Sequence, residues 1–182
     1  MTDMSRRITC FAASSSRQSI NRQLVTYVAG LVEDAEVEIL DLNDYELPLF
    51  SVDREAELGQ PPLAQAFLAS LDASDGLIIS FAEHNGCYSA AYKNLYDWAS
   101  RIRAKVYQDK PMLLLATSPG GRGGRSVLEL AERQIPFFGG TVHAAISMPS
   151  FQDNFNAERG VVSNAEIDAE IRAALKEFLG HV

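Results

Sequence analysis

An alternation of two residue patterns does most to narrow the fold of this chain. A short apolar run is followed by a longer stretch of helical period, and the pair recurs five times. The apolar runs are Ile8–Ala13, Val37–Leu42, Gly76–Phe81, Met112–Thr117 and Thr141–Ser147. They are rich in Ile, Val, Leu and Phe and show no polar alternation, so they read as strands covered on both faces. The intervening stripes place Leu24, Val28 and Leu31 on one helical face, then Leu63, Phe67, Leu68 and Leu71 on the next. Ala91, Leu95, Trp98 and Ile102 make a third stripe, and Val127, Leu128, Ala131 and Ile135 a fourth. Ile167, Ile171, Leu175 and Phe178 make the last. Strand and helix in strict succession predict an α/β fold with a parallel sheet and right-handed crossovers. No repeat or linker divides the 182 residues, so they are expected to form one domain. Two irregular pieces stand out, Asn43–Pro62 and Pro149–Ser163. Loops of this length usually cover something or carry function.

In such a sheet, ligands gather at the carboxyl ends of the strands. Three of the loops expected there are unusual. The first reads Ser14-Ser15-Ser16-Arg17-Gln18-Ser19-Ile20-Asn21-Arg22 and leads into a helix. A strand-to-helix turn presents unpaired N–H groups and the positive end of a helix dipole, which suits an anion. Hydroxyl, amide and guanidinium groups add donors for a phosphate. The loop lacks the Walker pattern and contains no glycine, so it is neither a P-loop nor a dinucleotide fingerprint. A plainer reading stands beside this one: the serines only cap the helix, with Ser19 as N-cap. A phosphatase-type loop does not fit, because Cys10 falls inside the strand, seven positions before Arg17.

The second loop runs from Ala82 to Ser89 through Glu83-His84-Asn85-Gly86. The third is Thr117-Ser118-Pro119-Gly120-Gly121-Arg122-Gly123-Gly124. Its four glycines suit a backbone pressed against a flat ligand.

Composition closes off other classes. Sixteen basic against 24 acidic side chains give a net charge of −8, which argues against nucleic acid or an anionic membrane as partner. The longest apolar run, Met112–Ala116, has five residues, far short of a membrane span. Ile8–Ala13 is too short for a signal-peptide core. Cys10 and Cys87 imply no disulfide framework, and a reducing cytoplasm is the expected compartment. His143 and His181 show no metal-ligand spacing, so no metal is expected.

Taken together, the three loops resemble the NAD(P)H-dependent FMN reductase family, whose flavodoxin-like members include quinone, azo-dye and chromate reductases. The resemblance rests on Ser16-Arg17-Gln18-Ser19-Ile20-Asn21-Arg22, on Glu83-His84-Asn85-Gly86 with Lys93-Asn94 and Asp97-Trp98, and on Ser118-Pro119-Gly120-Gly121-Arg122-Gly123-Gly124, in family order. Ala82 stands where the family has Pro, His84 where it has Tyr, and the first loop is a residue short. The resemblance implies a flavodoxin-like three-layer sandwich with strand order 2-1-3-4-5. It makes Ser14, Ser16, Arg17, Ser19 and Asn21 the FMN phosphate site. Glu83, His84, Asn85 and Gly86 would border the isoalloxazine, and Ser118, Gly120, Gly121 and Gly124 its other edge.

The implied activity passes hydride from NADPH or NADH to bound FMN and on to a quinone, free flavin or similar acceptor, in ping-pong turnover. The flavin carries that chemistry, so no catalytic side chain is expected. A flavodoxin-type electron carrier and a non-catalytic flavin-binding protein are the alternatives. The family also implies a homodimer or homotetramer, with Asn43–Pro62 and the helix after the third strand as contact pieces. Phe50, Tyr88 and Tyr92 are then expected near the ring or the interface.

Several residues have plainer readings. Cys87 is a small side chain unless its pKa is lowered. Trp98 belongs to the apolar stripe of its helix. Lys93 and Asp97 are spaced to pair. Arg122 and Arg125 could meet a 2′-phosphate or only water. Arg17, Arg22, Arg122 and Arg125 together would form a basic island in an acidic chain.

Overall fold

The computed structural model describes residues 6–182. Strand β1 (Arg6–Ala13) leads through the first loop into helix α1 (Ile20–Ala29), and β2 (Ala35–Leu40) follows. Helices α2 (Val52–Leu58) and α3 (Pro62–Asp72) come before β3 (Gly76–Phe81). Then come α4 (Ala90–Ile102), β4 (Lys110–Thr117), α5 (Arg125–Gln134), β5 (Gly140–Met148) and α6 (Ala165–Leu179). The five long strands form one parallel sheet in the order β2-β1-β3-β4-β5, the flavodoxin-like order.

Both faces of the sheet are covered, which is why the strands carry no polar alternation. On one face Leu77, Ile79 and Phe81 of β3 pack with Phe67 and Leu71 of α3, Leu95 of α4 and Val127 of α5. On the other, Ile78 packs with Leu24 and Val28 of α1 and with Ile171 and Phe178 of α6. Every residue of β3 is buried.

Register aligns the ligand loops. Ala13 pairs with Phe81, Phe81 with Ala116, and Ala116 with Ser147. The first, second and third loops therefore leave the sheet side by side at one level.

The second strand lies two residues earlier than the apolar run Val37–Leu42 suggests. Asp41 ends it by accepting the backbone N–H of Asn43, and Leu42–Tyr45 wind into a 3₁₀ turn that buries Leu42. Nor is Asn43–Pro62 irregular throughout. It contains α2, capped by Ser51, which buries none of its residues and so shows no apolar stripe. Pro149–Ser163 likewise holds a helical turn at Phe151–Asn154 and a small hairpin that pairs Phe155–Asn156 with Val161–Val162. Leu63, expected on the buried face of α3, is 40% exposed. Leu31 lies beyond the end of α1.

Candidate functional site

The first loop is folded largely by its own serines. Ser14 Oγ accepts the Ser16 N–H at 3.2 Å, and Ser16 Oγ accepts that of Gln18 at 3.3 Å. Ser19 is the N-cap of α1, its Oγ accepting the Arg22 N–H at 3.2 Å. The capping reading therefore holds for Ser19. It does not use up the loop. The amides of Ser15 and Arg17 have no partner among the described residues. Those of Ile20 and Asn21 sit in the first turn of α1, where no intrahelical acceptor exists. Arg17 is exposed and makes no ion pair among the described residues. Free amides, a helix N-terminus and an unpaired guanidinium together fit a phosphate dianion.

Asn21 has a different place from the one the motif implies. It is buried, and its side chain bridges the ends of two strands. Its Nδ2 donates to Thr117 O at 3.1 Å, and its Oδ1 accepts Thr117 N at 3.0 Å and Ser80 Oγ at 2.8 Å. With both side-chain polar atoms engaged below the surface, it anchors α1 to β3 and β4, and only its backbone amide is left for a phosphate. The basic island is smaller than expected as well. Arg22 pairs with Asp41 at 2.5 Å. The Asn43 backbone N–H and then Arg22 hold Asp41 below the usual carboxylate range. Arg17, Arg122 and Arg125 keep their charges unpaired among the described residues; Arg122 donates only to the Ser126 hydroxyl, at 2.8 Å.

The second loop is a hairpin. Glu83–His84 pairs with Cys87–Tyr88 around Asn85 (φ 53°) and Gly86 (φ 76°). Two left-handed residues in a two-residue turn make the Asn-Gly type I′ geometry. His84 and Asn85 are exposed at its tip. Glu83 faces the third loop, where its Oε2 accepts the Val127 N–H at 2.9 Å. Helix α5 starts at Gly124, which has no side chain to cap it, so Glu83 supplies the cap from the neighbouring loop. Ser89 joins the first loop to the second, donating to Ala13 O at 2.8 Å while capping α4.

The glycines of the third loop divide into two kinds. Gly123 (φ +60°) is fixed by internal packing, since a Cβ there would lie 2.5 Å from Ser147 Oγ and 2.8 Å from Met148 C. Gly124 (φ +73°) is the left-handed N-cap of α5, with the Ala116 Cβ 3.1 Å from where its own would be. Gly120 and Gly121 have nothing within 4 Å and no positive φ. Nothing inside the fold requires glycine at these two exposed positions, and their backbone is left open to close approach from outside. Ser118 Oγ and Ser150 N both donate to Gly120 O, at 3.2 and 3.0 Å, which fixes the loop.

Tyr92 lies away from this surface. It is buried, its hydroxyl bonded to that of Tyr107 and its ring packed on Phe81, Tyr88 and Tyr96. Tyr88 is half-buried, and burial pushes its phenol up to about 12, so it stays protonated. Phe50 rests edge-on against Trp98 at 5.1 Å. Trp98 is buried and donates to Pro48 O at 2.8 Å, which ties α4 to the segment before α2. Lys93 and Asp97 pair at 2.6 Å, as their spacing predicts. His143 and His181 stack at 3.7 Å, and burial, then His181, lowers the pKa of His143. Among the described residues no group of three metal-ligating side chains occurs, and no helix is long and apolar enough to cross a membrane.

Sequence reasoning passes over Ser80 and Ser89, and it places Thr117 and Gly123 in the third loop without their structural roles. Each acts on the site through another residue. Only the polar Ser80 inside an otherwise apolar run signalled a special role.

Comparison with known proteins agrees with this geometry. A model of NADPH-dependent FMN reductase matches residues 6–153. The NADPH:quinone oxidoreductase of Arabidopsis thaliana is 32% identical over 136 residues, covering 72% of this chain and 67% of the plant protein. A 2-hydroxy-1,4-benzoquinone reductase from a Burkholderia species is 34% identical, over 66% of this chain and 64% of that one. Among solved structures, the flavoenzyme NAD(P)H:(acceptor) oxidoreductase FerB from Paracoccus denitrificans superposes with a TM-score of 0.74 at 22% identity, covering 97% of this chain and 98% of its own.

Proposed function

The chain belongs to the NADPH-dependent FMN reductase family, and from that premise we propose that it is an FMN-dependent NAD(P)H oxidoreductase reducing a quinone or similar small acceptor. The observation that carries the reading is the joint geometry of the loops. A phosphate cradle with an unpaired Arg17 stands level with two exposed glycines that the fold itself does not require. When bound, FMN supplies a ring that takes up hydride from a nicotinamide and gives electrons to an acceptor.

The protein's part is to bind and orient. The Ser15 and Arg17 amides, the first turn of α1 and the Arg17 guanidinium hold the phosphate. Ser14, Ser16 and Ser19 shape that loop. The His84-Asn85-Gly86 tip and the Ser118–Gly121 backbone border the ring. Glu83, Gly124 and Asn21 set the spacing between the loops. Backbone N–H groups of the second and third loops stabilise negative charge on the ring. Donor and acceptor would take the same place beside the second and third loops in turn, which would give ping-pong turnover, and the chain would serve as one FMN-binding domain.

Leu49 and Val52, each 71% exposed, and Leu58, 55% exposed, place three large apolar side chains in water on the Asn43–Pro62 segment, which supports that segment as the contact piece of a homo-oligomer. Two free cysteines support a reducing, cytoplasmic setting. Arg17→Ala combined with Ser19→Ala should weaken FMN binding by about tenfold or more while riboflavin, which lacks the phosphate, binds as before. Equal loss of both would remove the phosphate site. Steady-state oxidation of NADPH and NADH with a panel of acceptors then separates an enzyme from an electron carrier. A carrier gives no rate above that of free FMN.

A further inference from the structure

A groove of about 610 Å³ runs along the outer face of α1 and is closed on its far side by the Phe155–Val162 hairpin. Its size is that of a small-molecule site. Its lining begins in the first loop at Arg17 and continues to Leu31, past the end of α1. Ten helical residues alone give it about 15 Å of length.

Its walls change character along that length. Arg17 stands at one end, exposed and without an ion pair among the described residues, beside Arg22, which is paired with Asp41. Gln23 and Thr26 follow on the helix, and Tyr27 and Phe155 make an aromatic wall further in. Tyr27 is held in place. Its hydroxyl bonds to Asp168 and takes a 3.3 Å hydrogen bond from Arg172, and its ring meets Phe155 edge-on at 6.3 Å. A cation at one end, amide and hydroxyl groups between, and a rigid aromatic wall at the other match an anionic ligand that ends in a heteroaromatic base.

We propose that this groove seats the adenosine end of the nicotinamide dinucleotide, with its pyrophosphate at Arg17 and its adenine against Tyr27. The proposal rests on the oxidoreductase reading and extends it to a site outside the three loops. It fits that reading because the groove begins where the FMN phosphate is placed. Arg17 has five N–H donors, enough to serve two oxyanions. In a chain of net charge −8, a second anion needs such a local cation.

The test uses protein saturated with FMN, so that the phosphate cradle is occupied, and titrates it with ADP and with adenosine. ADP should bind, and adenosine about tenfold more weakly or not at all. Thr26→Trp and Ala157→Trp fill the groove from exposed positions, so the fold should survive. Each should weaken ADP about tenfold and raise the KM for NAD(P)H, with kcat unchanged. Turnover with reduced nicotinamide mononucleotide, which has no adenosine, should be untouched. Failure of ADP to bind, or equal binding to the parent and both Trp variants, overturns the groove assignment. Loss of FMN binding or of turnover with the short donor in the parent protein overturns the underlying reading instead, so the two failures are distinct.

Discussion

Asn21→Ala separates two roles that one motif position can have. A phosphate ligand lost from the surface would weaken FMN binding and leave the empty protein as stable as before. The structure gives Asn21 the other role. Its side chain holds Thr117 N, Thr117 O and Ser80 Oγ, and both partner residues are at most 1% exposed. An unsatisfied buried group costs about 1–3 kcal/mol. The Ser80 hydroxyl can turn to another acceptor, so the lower end applies, about 3 kcal/mol in all. Against a typical stability of about 5–15 kcal/mol that is a large loss. At about 2–4 °C per kcal/mol for a chain of this size, the Tm of the flavin-free protein should fall by roughly 6–12 °C. Thermal or urea unfolding of the flavin-free protein measures it. Asn21→Asp should also destabilise, since it keeps the acceptor but sets a carboxylate against the Thr117 carbonyl. An unchanged Tm together with lost FMN affinity would refute the anchoring argument and return Asn21 to the phosphate.

Three further expectations follow from the same geometry. Gly123→Ala should cost about 2–4 kcal/mol through its left-handed φ and the contact with Ser147, whereas Gly120→Ala or Gly121→Ala should leave unfolding within about 0.5 kcal/mol of the parent and weaken FMN instead; denaturant titration and flavin titration read the two effects. Glu83→Ala should remove about 1 kcal/mol by uncapping α5 and loosen FMN with it, while Glu83→Gln, which keeps an acceptor for Val127 N, restores most of both. Asp41 is held below its ordinary pKa by the Asn43 amide and Arg22, and Asp168 by hydrogen bonds from Tyr27 and Arg172 that outweigh its burial. Their folded pKa values lie under the unfolded ones, so their stabilisation is complete above about pH 4 and is lost as pH falls through the folded values. Both are partly exposed and screened by water, so each adds no more than about 1 kcal/mol, and Asp41→Asn should flatten the acid limb of a stability-against-pH curve.

The fold was legible because burial on both faces leaves an unmistakable mark, and Gly76–Phe81 is the clearest case. Elements without a buried face left none. Helix α2 buries nothing, so its residues read as loop, and β2 lies at the sheet edge with mixed burial, so its start was misplaced. The site was legible at the level of loops. Within them, sequence could not tell a ligand from an anchor. Ser19 and Asn21 stand two residues apart in one motif, yet one caps the helix beside the cradle and the other is locked beneath it. The same holds for Gly121 and Gly123, which only the space around each distinguishes. Glu83 as the cap of α5 depends on a contact across 44 positions of sequence, which no local pattern carries.

The most direct test of the central claim is anaerobic mixing of the FMN-loaded protein with NADPH and with NADH, following the visible flavin band. The account predicts that at least one nucleotide bleaches the band far faster than it bleaches free FMN at the same concentration, and that added quinone restores it. Tightly held FMN that neither nucleotide reduces faster than free FMN would contradict it.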